Sequence, residues 1–307
     1  MRPTLRQLEY IVTVHRLGRF GLAADVLNVS QPSLSAQIAA VEHDLNIRLF
    51  ERDRGGVQTT SKGLEFIERA QSILRDVIDL RHAMTETHPF SGSIRLGVLP
   101  SIGPYLLPQA VKTIHAQHPN LRISVREENT LDLEKGLKSG RFDVILSTPE
   151  DHPNTQQFFL FNEKLFAATA TDDPTATSTD VITLPHLRGR RLLTLDTSHR
   201  LSRIVYAIAS KSGGIVSDDY EGTTLDSLVL MAATGAGIAV LPELFATRQG
   251  IYREEVVIKP LALTDANRDI ALISPAQATS DELLRLLCAT LQEVAQNYGL
   301  KTTDTTI

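Results

Sequence analysis

Apolar side chains recur with a helical period from the start of the chain. Leu5, Leu8, Ile11, Val12 and either Val14 or Leu17 fall on one face, and Gly18 breaks the run. A second, short helix is predicted over Phe20–Leu27, carrying the small residues Ala23 and Ala24. Asn28-Val29 then gives way to Ser30-Gln31-Pro32-Ser33. Ser30 suits a helix N-cap, and Pro32 is tolerated in a first turn because the N–H it lacks would be unpaired there. The helix that follows has Leu34, Ile38, Val41 and Leu45 on one face, with Ser33, Gln37 and Glu42 off it. Two helices joined by a four-residue turn, the second capped and polar on its outer side, describe a helix-turn-helix.

Leu49–Thr60 reads as a short hairpin with a Gly55-Gly56 tip, the shape of a wing, and its Arg52 and Arg54 could flank a phosphate backbone. From Ser61 to about Thr87 the pattern is one amphipathic helix, in which Ile67, Ala70, Leu74 and Val77 read as a dimer seam. Such a helix runs about 40 Å. His88-Pro89-Phe90-Ser91-Gly92 ends it as a hinge and domain boundary. Beyond it the rhythm changes to strand Ile94–Leu99, helix Pro104–His118, strand Arg122–Glu127, helix Leu131–Ser139 and strand Phe142–Leu146. Such a βαβαβ order predicts a parallel sheet with right-handed crossovers. Strands near Gln157–Phe161 and Leu165–Ala170 follow, then helices near Leu201–Ser212 and Thr224–Thr234. A strand at Ile238–Leu241 and a last helix over Asp281–Asn297 complete the pattern, with Thr302–Ile307 as a frayed tail.

Composition narrows the classes. The 307 residues are 42% hydrophobic and 22% charged, which excludes wholesale disorder and leaves room for two or three domains. A net charge of −5 means that any contact with nucleic acid must be local. Residues 1–90 carry eleven basic and eleven acidic side chains, so the acid excess lies in the rest of the chain. Cys288, the single cysteine, excludes an intrachain disulfide and a thiolate zinc cluster; directly after the apolar run Leu283-Leu284-Arg285-Leu286-Leu287 it reads as an inert core residue. The longest apolar stretch, Leu228–Leu241, holds two glycines and ends at Pro242, well short of the about 20 clean residues that span a bilayer. No apolar signal core follows Met1, so the protein is expected in the cytoplasm, with no membrane partner. Gly235-Ala236-Gly237 follows a helix and precedes a strand, which predicts a tight turn rather than a nucleotide-binding loop. No nucleophile–base pair, metal-ligand spacing or phosphate loop is evident; the chain is not expected to be an enzyme or to carry a cofactor or metal.

Leu5-Arg6-Gln7-Leu8-Glu9-Tyr10, Ala23-Ala24, Val29-Ser30-Gln31-Pro32-Ser33-Leu34-Ser35 and Leu49-Phe50-Glu51-Arg52 together resemble the signature of the LysR-type transcriptional regulators. The resemblance runs along the whole chain. It implies an N-terminal all-α winged helix-turn-helix (residues 1–60), a long linker and dimerisation helix (61–88), and a C-terminal α/β two-lobed effector domain (92–307) like the periplasmic-binding-protein fold. The lobes are expected at 92–165 with 268–300, and at 166–267. Implied partners are double-stranded promoter DNA, a small-molecule effector, further copies of the chain as a dimer or tetramer, and RNA polymerase.

Within the family, Leu96–Pro108, Leu195–His199, Thr224–Leu228, Gly235–Ile238 and Leu241-Pro242 resemble the peroxide-sensing OxyR branch. That branch places its peroxide-reactive cysteine directly after the histidine, where this chain has Arg200. Its resolving cysteine falls where this chain has Ala209. Without a thiolate there, no sulfenic acid or disulfide forms, and cysteine-based peroxide sensing is not expected.

Two sets of site residues follow. Ser30, Gln31, Pro32, Ser33, Ser35 and Gln37 lie where a recognition helix meets base edges, glutamine to adenine being a standard bidentate pairing; Arg52, Arg54 and Lys62 suit phosphates. The plain alternative is a solvated helix face with ordinary surface charges. For the effector, Ser101 and Thr130 stand at helix starts that favour an anion. By resemblance they and His199 line the sensing pocket, where Arg200 adds a positive charge and Arg203 lies one turn on. Hydroxyls, helix starts and guanidinium together suit a carboxylate or another small anion. Alternatively Ser101 and Thr130 only cap helices, and Arg200 faces solvent. Two rival functions remain: a redox-responsive regulator acting through oxidation of Met231 or Cys288, and a solute-binding or catalytic α/β protein with a helical N-terminus.

Overall fold

Thr4 opens the first helix through a capping box, its side chain accepting from the Gln7 N–H while the Gln7 side chain accepts from the Thr4 N–H. The computed structural model describes residues 3–53, 56–85, 92–222, 224–248, 254–276 and 281–302. They form two units, one of residues 1–93 with 136–142 and one of 94–135 with 143–307.

In the first unit α1 spans Leu5–Leu17 and stops at Gly18, whose φ of 64° is the left-handed conformation glycine adopts freely. Helices α2 (Phe20–Val26) and α3 (Gln31–Leu45) form the helix-turn-helix. Ser30 caps α3, and Asn46 ends it at φ 50°. Strands β1 (Phe50–Asp53) and β2 (Gly56–Thr59) pair antiparallel as the wing. Helix α4 runs from Ser61 to Thr85. Tyr10, Ile11, Val14, Ala23, Ala24, Leu34, Ile38, Val41, Leu49, Phe50 and Ile67 make one core. Leu45, expected on that face, is exposed at the end of its helix.

The expected dimer seam is altered. Ile67 and Ala70 are buried within the chain, where α4 packs on α1, and Leu74 and Val77 are half-buried. Among the described residues, the large apolar side chains that α4 exposes are Leu64, Ile73, Ile78 and Leu80. A lone helix cannot tell which apolar stripe its own core will take. The expected hinge at residues 88–92 lies almost wholly outside the described residues.

The second unit is built on one sheet. Its elements are β3 (Gly92–Val98), α5 (Gly103–Gln117), β4 (Leu121–Glu127), α6 (Thr130–Lys138), β5 (Val144–Ser147) and a 3₁₀ turn at Pro149–Asp151. Then come β6 (Thr155–Ala170), α7 (Pro174–Ser178), α8 (Leu184–Leu187), β7 (Arg191–Leu195), α9 (Arg200–Ser212), β8 (Ile215–Gly222) and α10 (Leu225–Ala233). The last are β9 (Ile238–Pro242), α11 (Glu243–Arg248), β10 (Val256–Pro260), β11 (Asn267–Pro275) and α12 (Asp281–Asn297). The strand order is β4-β3-β5-β11-β6-β9-β7-β8, with β10 on β6.

β3 pairs parallel with β5, and β7 with β8 and β9, as βαβ units require. The two halves are joined by antiparallel strands instead. The two strands expected at Gln157–Phe161 and Leu165–Ala170 are one, β6, whose first half pairs with β11 and whose second half pairs with β9 and β10. The polar interruption Asn162-Glu163-Lys164 does not turn the chain, because Glu163 is buried against Arg268 of β11. β6 and β11 therefore cross between two lobes, giving the two-lobed α/β form. The Gly235-Ala236-Gly237 segment is the turn between α10 and β9, with Gly235 at φ 79°. Among the described residues no helix is long and apolar enough to cross a membrane.

Candidate functional site

On the first unit, the Ser30 hydroxyl accepts the Ser33 N–H at 3.3 Å. Gln31, Pro32, Ser33 and Gln37 are exposed and Ser35 is half-buried. The face is stiffened from behind by hydrogen bonds that join elements distant in sequence. The Glu42 carboxylate accepts the N–H groups of Leu49 (2.7 Å) and Phe50 (3.2 Å), tying the wing to α3. His15 Nδ1 lies 2.8 Å from the Thr59 hydroxyl, and the Val57 N–H donates to the Gly18 carbonyl. Buried Gln7 donates from Nε2 to the Gln37 Oε1 at 2.9 Å. Arg52 occupies β1 opposite Val57. Arg54 lies outside the described residues. Lys62 is exposed and pairs with Glu65 at 3.0 Å, a surface contact weak enough to exchange for a phosphate.

In the second unit a cavity of about 310 Å³ brings Ser101, Thr130, His199 and Arg200 together, with Glu127, Asp226, Tyr105 and Arg268. Arg203 lines a neighbouring groove of about 290 Å³ along α9. Neither hydroxyl caps its own helix. Ile102 is the N-cap of α5, and the Ser101 Oγ accepts from Arg268 Nη2 at 2.7 Å. The Asn129 side chain takes the Asp132 N–H at the start of α6, leaving the Thr130 Oγ1 to accept the Arg200 N–H at 3.1 Å.

Arg200 does not face solvent freely. Its Nη1 lies 3.0 Å from Asp151 Oδ1, and Arg203 Nη2 lies 2.8 Å from the same oxygen. The Asp151 side chain is only 5% exposed and also accepts the Thr148 hydroxyl. Two guanidinium groups on one carboxylate leave a net positive charge at the start of α9, beside the two hydroxyls.

Beneath the cavity, Arg268 and Glu163 form an ion pair, both buried. Glu163 also accepts the Leu244 N–H at 3.2 Å. Burial pushes the Glu163 carboxyl up despite the pull of Arg268 and that N–H. Neither residue carries a sequence signal, since β11 begins with the polar run Asn267-Arg268-Asp269 and escapes a search for apolar strands.

Burial lowers the His199 imidazole against the opposing pull of Asp196, and Arg268 lowers it further. Burial raises the Tyr105 hydroxyl to about 12, helped by Asp226 and Glu127, and the Cys288 thiol to about 11. Cys288 is buried, so little of it is thiolate at neutral pH. A lowered imidazole means the native state binds the proton less tightly than the unfolded chain. His199 therefore contributes stability that is complete above about pH 6.5 and lost as pH falls through its folded value. Urea titrations at pH 7.5 and 5.5 should show the wild type losing more stability than His199→Gln. Equal losses would place the charge change elsewhere.

A winged helix-turn-helix and a two-lobed domain with an interlobe cavity define a class, the ligand-responsive DNA-binding transcriptional regulators. Residues 5–64 match the bacterial regulatory helix-turn-helix of the lysR family, and residues 87–296 match the LysR substrate binding domain. The chain belongs to the LysR family of transcriptional regulators. It is 33% identical to a hydrogen peroxide-inducible genes activator of Haemophilus influenzae, over 92% of this chain and 98% of that one. It is 32% identical to the dual regulator OxyR of Escherichia coli, over 93% and 95%. A full-length OxyR variant from Pseudomonas aeruginosa superposes with a TM-score of 0.70 at 25% identity, over 94% of this chain and 97% of that one.

Proposed function

We propose that this LysR-type regulator acts in the cytoplasm as a homo-oligomer, binding a pseudo-palindromic promoter site and responding to a small, anionic effector rather than to peroxide through cysteines. Residues 1–60 bind DNA, 61–88 link protomers and 92–307 sense the effector. Helix α3 enters the major groove with Ser30, Gln31, Pro32, Ser33, Ser35 and Gln37 on its outer side, while Arg52, Arg54 and Lys62 meet phosphates. Ile73, Val77 and Leu80 give α4 an apolar stripe at i, i+4, i+7 for a second copy. RNA polymerase is the expected further partner once DNA is bound.

The observation that carries the effector reading is the arrangement of Ser101 and Thr130. Each hydroxyl oxygen already accepts from a fixed donor, so each O–H is left to donate into the cavity toward an acceptor. The net positive Arg200–Asp151–Arg203 trio lies at that end, and Glu127 and Asp226 near Tyr105 at the other. A small oxyanion is favoured at the hydroxyl end. The proposed switch is a shift between two arrangements of the oligomer, changing how DNA is bent.

With Cys288 buried and alone, an intrachain disulfide cannot form. The test is a nuclease footprint on the DNA flanking the protein's own gene, with and without peroxide. The expected result is a long footprint unchanged by peroxide. A peroxide-induced shift abolished by Met231→Leu or Cys288→Ser would establish the redox reading instead. Where a cellular response is recorded, Arg200→Ala should raise its half-saturating effector level about tenfold without altering basal DNA affinity.

A further inference from the structure

The amide of Gln37 is not free to choose which end it shows to DNA. The Thr4 backbone N–H donates to one side-chain atom of Gln7 at 2.9 Å, and only an oxygen can receive it. That fixes the other end of the Gln7 amide as the NH₂ group, which lies 2.9 Å from the Gln37 side chain. Gln37 must therefore turn its carbonyl oxygen inward, and its own NH₂ is left outermost. Gln7 is 3% exposed, so water does not compete for these positions, whereas Gln37 is exposed on α3. A backbone N–H in the cap of α1 thus sets, through Gln7, the polarity of a side chain on the recognition helix 30 residues beyond Gln7.

Resting on the helix-turn-helix reading above, we propose that Gln37 reads a base as a hydrogen-bond donor and that Gln7 is the positioning residue that makes it one. Its target is a base presenting an acceptor in the major groove: guanine through O6 or N7, thymine through O4, or, next to a competing N6 donor, adenine through N7. Cytosine shows only its N4 donor there and is rejected. With the Gln37 carbonyl held by Gln7, a symmetrical bidentate contact to adenine is not the geometry offered.

Substitution at position 7 can reverse the polarity without removing the cap. In Gln7→Glu one carboxylate oxygen still accepts from Thr4, as glutamate does in a capping box. The other oxygen cannot donate, so the Gln37 amide must turn over, give its NH₂ to Glu and present its carbonyl outward. Gln37→Glu reaches the same outcome from the other side, and serves if the first variant does not fold.

The experiment is selection from promoter fragments randomised at single positions, using the full-length wild type, Gln37→Ala, Gln7→Glu and Gln37→Glu. Urea titration of each protein reports folding. Wild type should prefer guanine or thymine over cytosine at one position per half-site by about tenfold, the scale of one hydrogen bond. Gln37→Ala should flatten that position alone. Gln7→Glu should reverse it toward cytosine or adenine, leaving the other positions and the salt dependence unchanged. An unchanged profile in folded Gln7→Glu, with Gln37→Ala flattened, would overturn the role of Gln7. An unchanged profile in Gln37→Ala would overturn base reading by Gln37. Failure of the wild type to select any sequence would instead remove the helix-turn-helix reading.

Discussion

Replacing Arg268 by methionine should destabilise the effector unit by about 3–5 kcal/mol, the usual cost of leaving one member of a buried ion pair alone. Glu163 and Arg268 are 0% and 5% exposed, on the two strands that cross between the lobes. Arg268 also donates to Ser101, and Glu163 accepts the Leu244 N–H in the first turn of α11, so the pair fastens structure on both sides of the cavity. The loss should depend on pH. Burial already raises the Glu163 carboxyl, and removing the guanidinium raises it further. The native variant then holds a proton more tightly than its unfolded chain. It is most stable below the ordinary glutamate range near 4.5, and loses stability as pH rises through the raised folded value. Urea titrations of Arg268→Met should therefore show a smaller deficit at pH 5 than at pH 8. Adding Glu163→Gln should recover much of the deficit and its pH dependence, because the neutral amide still accepts from Leu244. A deficit that is the same at both pH values would mean that Glu163 is not the stranded charge.

Gly63→Ala is expected to remove DNA binding while leaving the second unit folded. Gly63 lies in the first turn of α4 and donates its N–H to the Thr60 hydroxyl at 2.9 Å. A Cβ there would collide with the Leu49 carbonyl oxygen and stand 2.8 Å from the Thr59 methyl group. That carbonyl cannot move aside cheaply. It accepts the Thr60 N–H at 3.0 Å, and the adjoining Leu49 and Phe50 N–H groups are held by Glu42. Relief must displace the wing or the start of α4. The cost is about 3 kcal/mol, a large share of what a small domain has. DNA affinity should fall at least tenfold in gel-shift titrations, and limited proteolysis should leave a resistant C-terminal fragment. Wild-type affinity in this variant would show that the wing tolerates the shift.

These sites differ in how far they could be read in advance. The helix-turn-helix was legible because its signals are local. Ser30 and Pro32 mark a helix start, Gly18 and Asn46 end helices in the left-handed region, and the apolar period names the buried face. The same locality placed α12 at Asp281–Asn297. It failed for β6, where three polar residues looked like a break between two strands. It failed also for α4, whose apolar residues serve two stripes. The residues expected around the effector were brought to one cavity, except Arg203 in the adjoining groove, but their bonding was not foreseeable. Ser101 and Thr130 resemble caps in sequence and are not caps in the structure.

The chain's order of residues by itself settles the regulator class, the helix-turn-helix and the want of a second cysteine for an intrachain disulfide, because periodicity, caps and a cysteine count need no knowledge of distant neighbours. Only the tertiary structure decides that Asp151 holds Arg200 and Arg203, that Glu163 is paired with Arg268, and that Gln7 orients Gln37. Those partners stand 30 to 105 residues apart. A charge or an amide carries no period, and which oxygen faces which nitrogen follows only when the backbone has brought them within hydrogen-bond reach.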